Sequence, residues 1–225
     1  MKRRGIAIDG PSGAGKSTLA RRLARELGFV YVDTGAIYRT VGLAARRRGI
    51  DPADGEAVAA MLPRLAIGMG YGEDGLQHMY LDGEDVTRAI RENEISACAS
   101  KVAALPAVRA FLLEMQRRTA RENDVVMDGR DIGTVVLPQA DVKIYLTAAA
   151  EARAERRYRE LLERGQRADL DQVLREVVER DRRDMEREVS PLRRADGAAL
   201  ADTTGLDLEE SFQLLLRLVR ERLDV

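Results

Sequence analysis

Gly10-Pro11-Ser12-Gly13-Ala14-Gly15-Lys16-Ser17 satisfies every fixed position of the G-x-x-x-x-G-K-[ST] phosphate loop. The glycines let the backbone curl around an anion with successive N–H groups pointing inward, where bulkier side chains would block the approach. A helix that begins on the bound phosphates adds its unpaired N–H groups and the positive end of its dipole. In such a loop Lys16 neutralises the terminal phosphates during transfer, and the Ser17 hydroxyl ligates a magnesium ion that bridges them. Upstream, Gly5-Ile6-Ala7-Ile8-Asp9 is an apolar run of strand length; downstream, Leu19, Ala20, Leu23, Ala24 and Leu27 recur at helical spacing. A glycine-rich turn with a solvated lysine is the plain alternative, and it does not explain a full match placed between a strand and a helix. The chemistry indicated is that of a nucleoside triphosphate site, and the remaining question is what receives the phosphate.

Three further groups of residues bear on it. Asp33-Thr34-Gly35 follows a second strand over 29–32 and precedes a helix opening with Ala36-Ile37-Tyr38-Arg39. In an open parallel sheet that junction faces the same crevice as the phosphate loop; a plain helix cap at Thr34, with Tyr38 packed and Arg39 solvated, is the other reading. Asp128 ends a third apolar strand, Val125-Val126-Met127-Asp128, and is a candidate for orienting magnesium directly or through water, against the alternative of a loop carboxylate. Arg130 and Asp131 come next, at the same strand end. Finally, Arg180, Asp184 and Arg187 are spaced to share one helix face. Solvated ion pairs are the usual meaning of that spacing, yet two helices over about 150–188, joined by a polar tip at 165–169, would make a lid able to close arginines over phosphates.

These candidates need a scaffold that brings strand ends together. Five strand-like runs, at 5–9, 29–32, 125–128, 142–146 and 200–202, alternate with helical patterns, which predicts a five-stranded parallel sheet flanked by helices. The alternation breaks at 64–90. There Ile67 to Tyr71, Gln77 to Leu81 and a stub near Val86 are separated by the turn signals Glu73-Asp74-Gly75 and Asp82-Gly83, so a small antiparallel sheet is inserted. A short helix is expected over 54–64. Helical pattern resumes at Ile90 and passes Ala104, Pro106 starts another helix, and Asp207 with Glu210 approximates a capping box for the last one. The chain then reads as one domain: a core of 1–63 and 91–225, the lid within it, and the insert at 64–90.

Composition bounds the function classes. Among 225 residues, 37 basic and 38 acidic side chains leave a formal charge of −1, so the overall balance suggests neither a nucleic-acid nor a membrane partner. Cys98 stands alone, which excludes an internal disulfide framework, and His78 is the single histidine, so zinc-type ligand spacing is lacking. Met1-Lys2-Arg3-Arg4 runs straight into the first strand without a long apolar segment, and a soluble cytoplasmic protein is expected. There is no Asn-Lys-x-Asp guanine signature, which weighs against a nucleotide switch; another small-acceptor kinase, using UMP, AMP or shikimate, is the nearer rival.

Together, Ile8 to Thr18, Asp33-Thr34-Gly35-Ala36-Ile37-Tyr38-Arg39, Asp128-Gly129-Arg130-Asp131-Ile132-Gly133-Thr134-Val135-Val136 and Arg180-Asp181-Arg182-Arg183-Asp184 resemble the bacterial cytidylate kinases over nearly the whole chain. The resemblance implies magnesium-dependent, in-line transfer of the ATP γ-phosphoryl to CMP or dCMP with lid closure, by a monomer. It implies that Gly10, Pro11, Ser12, Gly13, Ala14, Gly15, Lys16, Ser17 and Thr18 hold ATP, and that Ser17 and Asp128 serve the metal. The acceptor site it implies comprises Thr34, Tyr38, Arg39, Ser100, Arg109, Arg130, Asp131, Arg180, Asp184 and Arg187. Arg39 and Arg130 suit the CMP phosphate, Ser100 and Arg109 read cytosine, and Arg180, Asp184 and Arg187 lie near ribose and base. Lys16, Arg39, Arg130 and Arg187 would carry the transfer. Thr34 stands where this loop often has Ser, keeping the hydroxyl and adding a methyl. Arg153 and Arg157 are lid arginines between which spacing does not choose.

Overall fold

Alternation along two buried strands decides the architecture. Ile6 and Ile8 of β1 (Gly5–Asp9) face one apolar cluster and Ala7 between them faces another, so both faces of the sheet are covered by helices. β2 (Val30–Asp33) divides in the same way, with Tyr31 on one side and Val32 on the other. The computed structural model describes residues 3–73, 75–163 and 165–223. Met1 and Lys2 of the amino terminus, Asp74 of the first turn signal and Arg164 of the first lid helix lie outside the described residues.

After α1 (Lys16–Leu27) and β2 come α2 (Thr34–Arg47) and α3 (Gly55–Met61), the latter continued by a 3-10 turn, Leu62–Arg64. The insert is β3 (Ile67–Tyr71), β4 (Gln77–Leu81) and β5 (Glu84–Asp85), paired antiparallel in that order. Then follow α4 (Asn93–Val102), α5 (Pro106–Glu122), β6 (Val125–Gly129), a single π-turn at Ile132–Val136, β7 (Val142–Thr147), α6 (Ala150–Glu163), α7 (Leu170–Glu186), β8 (Ala199–Asp202) and α8 (Leu208–Leu223). The large sheet has the order β2-β6-β1-β7-β8 with every pairing parallel. β1 is central, so the loop that follows it opens between the ends of β6 and β7, where ligands of open α/β sheets bind.

The sequence expectations differ from the structure mostly at element ends. The helix after β2 begins at Thr34 rather than Ala36, and its cap is Asp33, whose carboxylate accepts from the Ala36 N–H at 2.9 Å. Thr34 is therefore not the cap. Ile90 lies in a 3-10 turn, Ala89–Arg91, with the α-helix starting at Asn93. The π-turn has no signature that strand or helix periodicity would reveal. The capping box at the last helix is formed in both directions, Asp207 N–H to Glu210 at 2.9 Å and Glu210 N–H to Asp207 at 2.8 Å.

No single described helix is long and apolar enough to cross a membrane; α4 and α5 meet the length and composition test only as a pair bent by 97°. α5 buries Val108 and Leu112 in the cluster shared with α2 and the insert. Its neighbour Phe111 is 37% exposed, beside a hollow of about 350 Å³ lined also by Leu65, Ile67 and Met115. Leu112→Ala is expected to cost about 2–5 kcal/mol in urea unfolding, and Phe111→Ala less than half of that, because only the first opens a cavity in close-packed surroundings. Equal costs would place the core boundary wrongly.

Candidate active site

The phosphate loop is shaped by its neighbours. A Cβ on Gly10 would sit 1.9 Å from the Leu146 carbonyl oxygen of β7, a backbone collision that excludes any side chain. Gly15, at φ 84°, turns the chain into α1. Lys16 is buried and donates to the Pro11 carbonyl at 2.7 Å, while Arg153 of α6 donates to the Ser12 carbonyl at 2.9 Å. Ala14 packs in the core and Thr18 is exposed on α1. Burial lowers the Lys16 pKa to about 7, helped by Arg130 and opposed by Asp128.

Asp128 stands at the end of β6, and Ser17 reaches it: the hydroxyl donates to Oδ2 at 3.0 Å, while the Tyr31 hydroxyl donates to Oδ1 at 2.8 Å. Burial first, and then the charge of Asp33, raise Asp128 to about 6. A buried carboxylate beside a hydroxyl, its charge opposed by its surroundings, is a hard-oxygen donor pair suited to magnesium. Tyr31 was not anticipated as a site residue, since in a strand pattern it reads as one more core aromatic.

A second strand end supplies guanidinium groups. Arg130 Nε donates to Asp184 Oδ2 at 2.8 Å, so Asp184 of α7 pairs across the cleft, not along its own helix. Burial works to raise the Asp184 pKa, and the Arg130 guanidinium overrides it to hold the carboxyl low. Arg180 Nε is buried without a hydrogen-bond partner, and its pKa is lowered to about 10 by burial and by Arg130. The three expected lid residues do not all share a helical face: α7 ends at Glu186, and Arg187 lies just past it, donating to the Ser190 carbonyl at 2.6 Å. Its guanidinium lies 3.7 Å from Asp131.

Asp131 also pairs with Arg109, which donates to the Ala103 carbonyl at 2.8 Å and lies over the Tyr38 ring at 5.4 Å. Arg109 is thus buried in a polar cluster, not a surface residue. Arg39 pairs with Asp33 at 2.8 Å, with Arg91 at 3.5 Å on the same oxygen, and its Nε is buried without a hydrogen-bond partner. Burial would raise Asp33, but Arg39 and Arg91 hold it low. Thr34 donates to the Asp128 carbonyl at 2.7 Å, joining the ends of β2 and β6. Ser100 lies half-buried on α4 and stands outside these contacts. Of the lid arginines, Arg153 is tied to Asp181 at 2.5 Å as well as to the loop, whereas Arg157 pairs with Glu160 at 3.0 Å.

Two buried residues beyond the expected set also hold this region. Gln77 of the insert accepts from the Asp33 N–H at 2.7 Å and donates to the Asp33 carbonyl at 3.2 Å. Asp9, at the end of β1, accepts from the N–H groups of Ile132 and Gly133. Asp9 adjoins the loop motif, so position hinted at it; nothing in the pattern around Gln77 distinguishes it from a strand residue.

A family model described as Cytidylate kinase matches residues 6–221. The chain is 49% identical to the cytidylate kinase of Carboxydothermus hydrogenoformans, covering 98% of this chain and 99% of that one. It is 48% identical to that of Caldicellulosiruptor bescii, over 97% and 96%. Among solved structures, the shikimate kinase of Bacteroides thetaiotaomicron is similar with a TM-score of 0.51 at 14% identity over 99% of both chains, a likeness of fold.

The crowding of cations gives Asp184 an expected weight. Asp184→Asn leaves Arg130 and Arg180 without their shared counter-charge and is expected to cost about 3 kcal/mol at neutral pH, the low end for a broken buried pair because Arg130 keeps some exposure. A carboxyl held low when folded contributes stability that is present above its unfolded pKa and is lost as pH falls through the folded one. Denaturant unfolding of the two proteins should therefore diverge above a pH of about 4 and converge in stronger acid.

Proposed function

Because the chain belongs to the cytidylate kinase family, we propose that it transfers the γ-phosphoryl group of ATP to CMP or dCMP, giving ADP and the corresponding diphosphate. The observation that carries this reading is the meeting of two built sites: a phosphate loop with a buried lysine, and a cluster of part-buried arginines, of which Arg39, Arg180 and Arg187 each bury a nitrogen that has no hydrogen-bond partner. Buried donors left unpaired are costly, and an anionic nucleotide held among Arg39, Arg180 and Arg187, beside Arg130, would satisfy them.

In this reading the loop amides and Lys16 hold the triphosphate, and Arg130, Arg39 and Arg187 orient the acceptor and spread developing negative charge. Tyr38, Arg109, Asp131 and Ser100 would surround the cytosine, with Asp184 and Arg180 toward the ribose and Thr34 beside them. A hydroxyl and a guanidinium match the acceptors and amino group of the base edge. Ser17 and Asp128 would hold magnesium, which supplies charge neutralisation between the phosphates when bound. The acceptor phosphate is ionised near neutrality, so no general base is needed, and in-line positioning provides most of the acceleration. Closure of α6 and α7 over the loop would exclude water and limit ATP hydrolysis. The reading takes a monomer acting in the cytoplasm, where its nucleotide substrates are.

ADP release from Mg-ATP is expected to depend on CMP or dCMP, to be far weaker with UMP or AMP, and to disappear in Lys16→Ala. Rates with AMP or UMP above those with CMP would overturn the acceptor assignment and leave the phosphate loop standing. Proton linkage gives a second check. Burial lowers the Lys16 pKa to about 7 in the free protein and bound phosphates favour its charged form, so Mg-ATP binding near pH 8 should take up a fraction of a proton. Calorimetry in buffers of different ionisation enthalpy measures this, and the uptake should vanish in Lys16→Ala.

A further inference from the structure

Asp9 has no part in the chemistry above, yet it is buried and both of its carboxylate oxygens are used. Oδ1 accepts from the Ile132 N–H and Oδ2 from the Gly133 N–H, each at 2.7 Å. Those two amides open the π-turn that follows Arg130 and Asp131 directly. The far end of the turn is held by Arg117 of α5, which donates to the carbonyls of Val135 at 2.9 Å and Val136 at 3.1 Å. At Gly133 an added Cβ would lie 3.2 Å from the Ala195 Cβ and 3.4 Å from Asp9 Oδ2, so a bare amide lets the carboxylate come close. An isolated π-turn is rare and needs an imposed geometry; one carboxylate bridging its first two free N–H groups supplies it. Burial opposes that charge, raising the Asp9 pKa to about 6 against the two N–H bonds. Gly10, the first residue of the phosphate loop, comes next in the chain.

We propose that Asp9 is a positioning residue for phosphoryl transfer: it fixes the turn that sets Arg130 and Asp131, and ties that acceptor segment to the strand end from which the phosphate loop springs. The distance between donor and acceptor phosphates then depends on one side chain that touches neither. This rests on the cytidylate kinase reading.

Asp9→Asn keeps the shape and one acceptor oxygen but turns an NH₂ toward an N–H that needs an acceptor. kcat/KM for CMP is expected to fall about 100-fold, a loss typical of reactants displaced by about an ångström, with most of it in kcat, while Mg-ATP affinity by calorimetry stays near that of the wild type. Amide hydrogen exchange at Ile132 and Gly133 should accelerate in the same variant. Asp9→Ser, smaller and uncharged with one acceptor, gives the second test should the first variant fold poorly, and is expected to show the same split. Wild-type kcat and KM for CMP in either folded variant would overturn the proposal. So would parallel loss of Mg-ATP and CMP affinity, which marks general loosening of the fold. Absence of CMP turnover in the wild-type protein would instead overturn the functional reading, and exchange at the two amides would still report whether Asp9 holds the turn.

Discussion

Parallel register sets two carboxylates at one level of the sheet and a third one residue beyond them on the neighbouring strand. Asp33 is paired with Asp128 across β2 and β6, and Asp9 with Gly129 across β6 and β1. Adjacent strands lie about 4.8 Å apart, so Asp33 and Asp128 crowd one another in a buried place where like charges repel strongly, while Asp9 is buried on the opposite face near Asp131. Each is reconciled by a different set of donors. Asp33 takes a helix N–H and two arginines, Asp128 takes two hydroxyls, and Asp9 takes two backbone amides. The donors belong to α1, α2, β2, the turn after the insert and the π-turn, so satisfying the acids gathers those elements around the crevice. The outcomes differ with the donor: guanidinium groups hold Asp33 low, whereas hydroxyls and amides leave Asp128 and Asp9 raised.

The lid is fastened on other terms. Its own apolar cluster consists of Ala154, Val173 and Val177 with a few half-buried neighbours. Its links to the body at the crevice are polar: Arg153 to the Ser12 carbonyl, and Asp184 to Arg130. A unit with a small core and charged attachments opens at less cost than a core helix. The groups that fasten it are the ones nearest the proposed phosphates, so closure and phosphate binding draw on the same arginines.

The fold was largely legible because its signals are local and repeated: apolar strands, helical spacing, turn glycines, and a phosphate loop whose residue types are each required. Element ends were misplaced where two kinds of cap compete. Asp33 and Thr34 are both suitable caps, and only the carboxylate's bond to Ala36 decides between them. The site was legible in its residue types and less so in its partners. Spacing suggested Asp184 beside Arg180 on a helix, but its guanidinium partner is Arg130, the residue just past β6, 54 residues away in the chain. Gln77 and Tyr31 gave no signal, because an amide or a hydroxyl within a strand looks like any half-buried residue until the neighbouring backbone is known.

Gln77 carries a consequence for the protein's behaviour in a crowded solution. β2 is one edge of the five-stranded sheet, and an edge strand presents unpaired N–H and C=O groups to which a strand of another molecule can add. At Asp33 both outward groups are already taken by one carboxamide from the insert. The side chain thus imitates one rung of a missing strand. The inserted sheet closes the edge at the end where ordered backbone matters most, and intermolecular strand addition meets a position that is hydrogen-bonded from within.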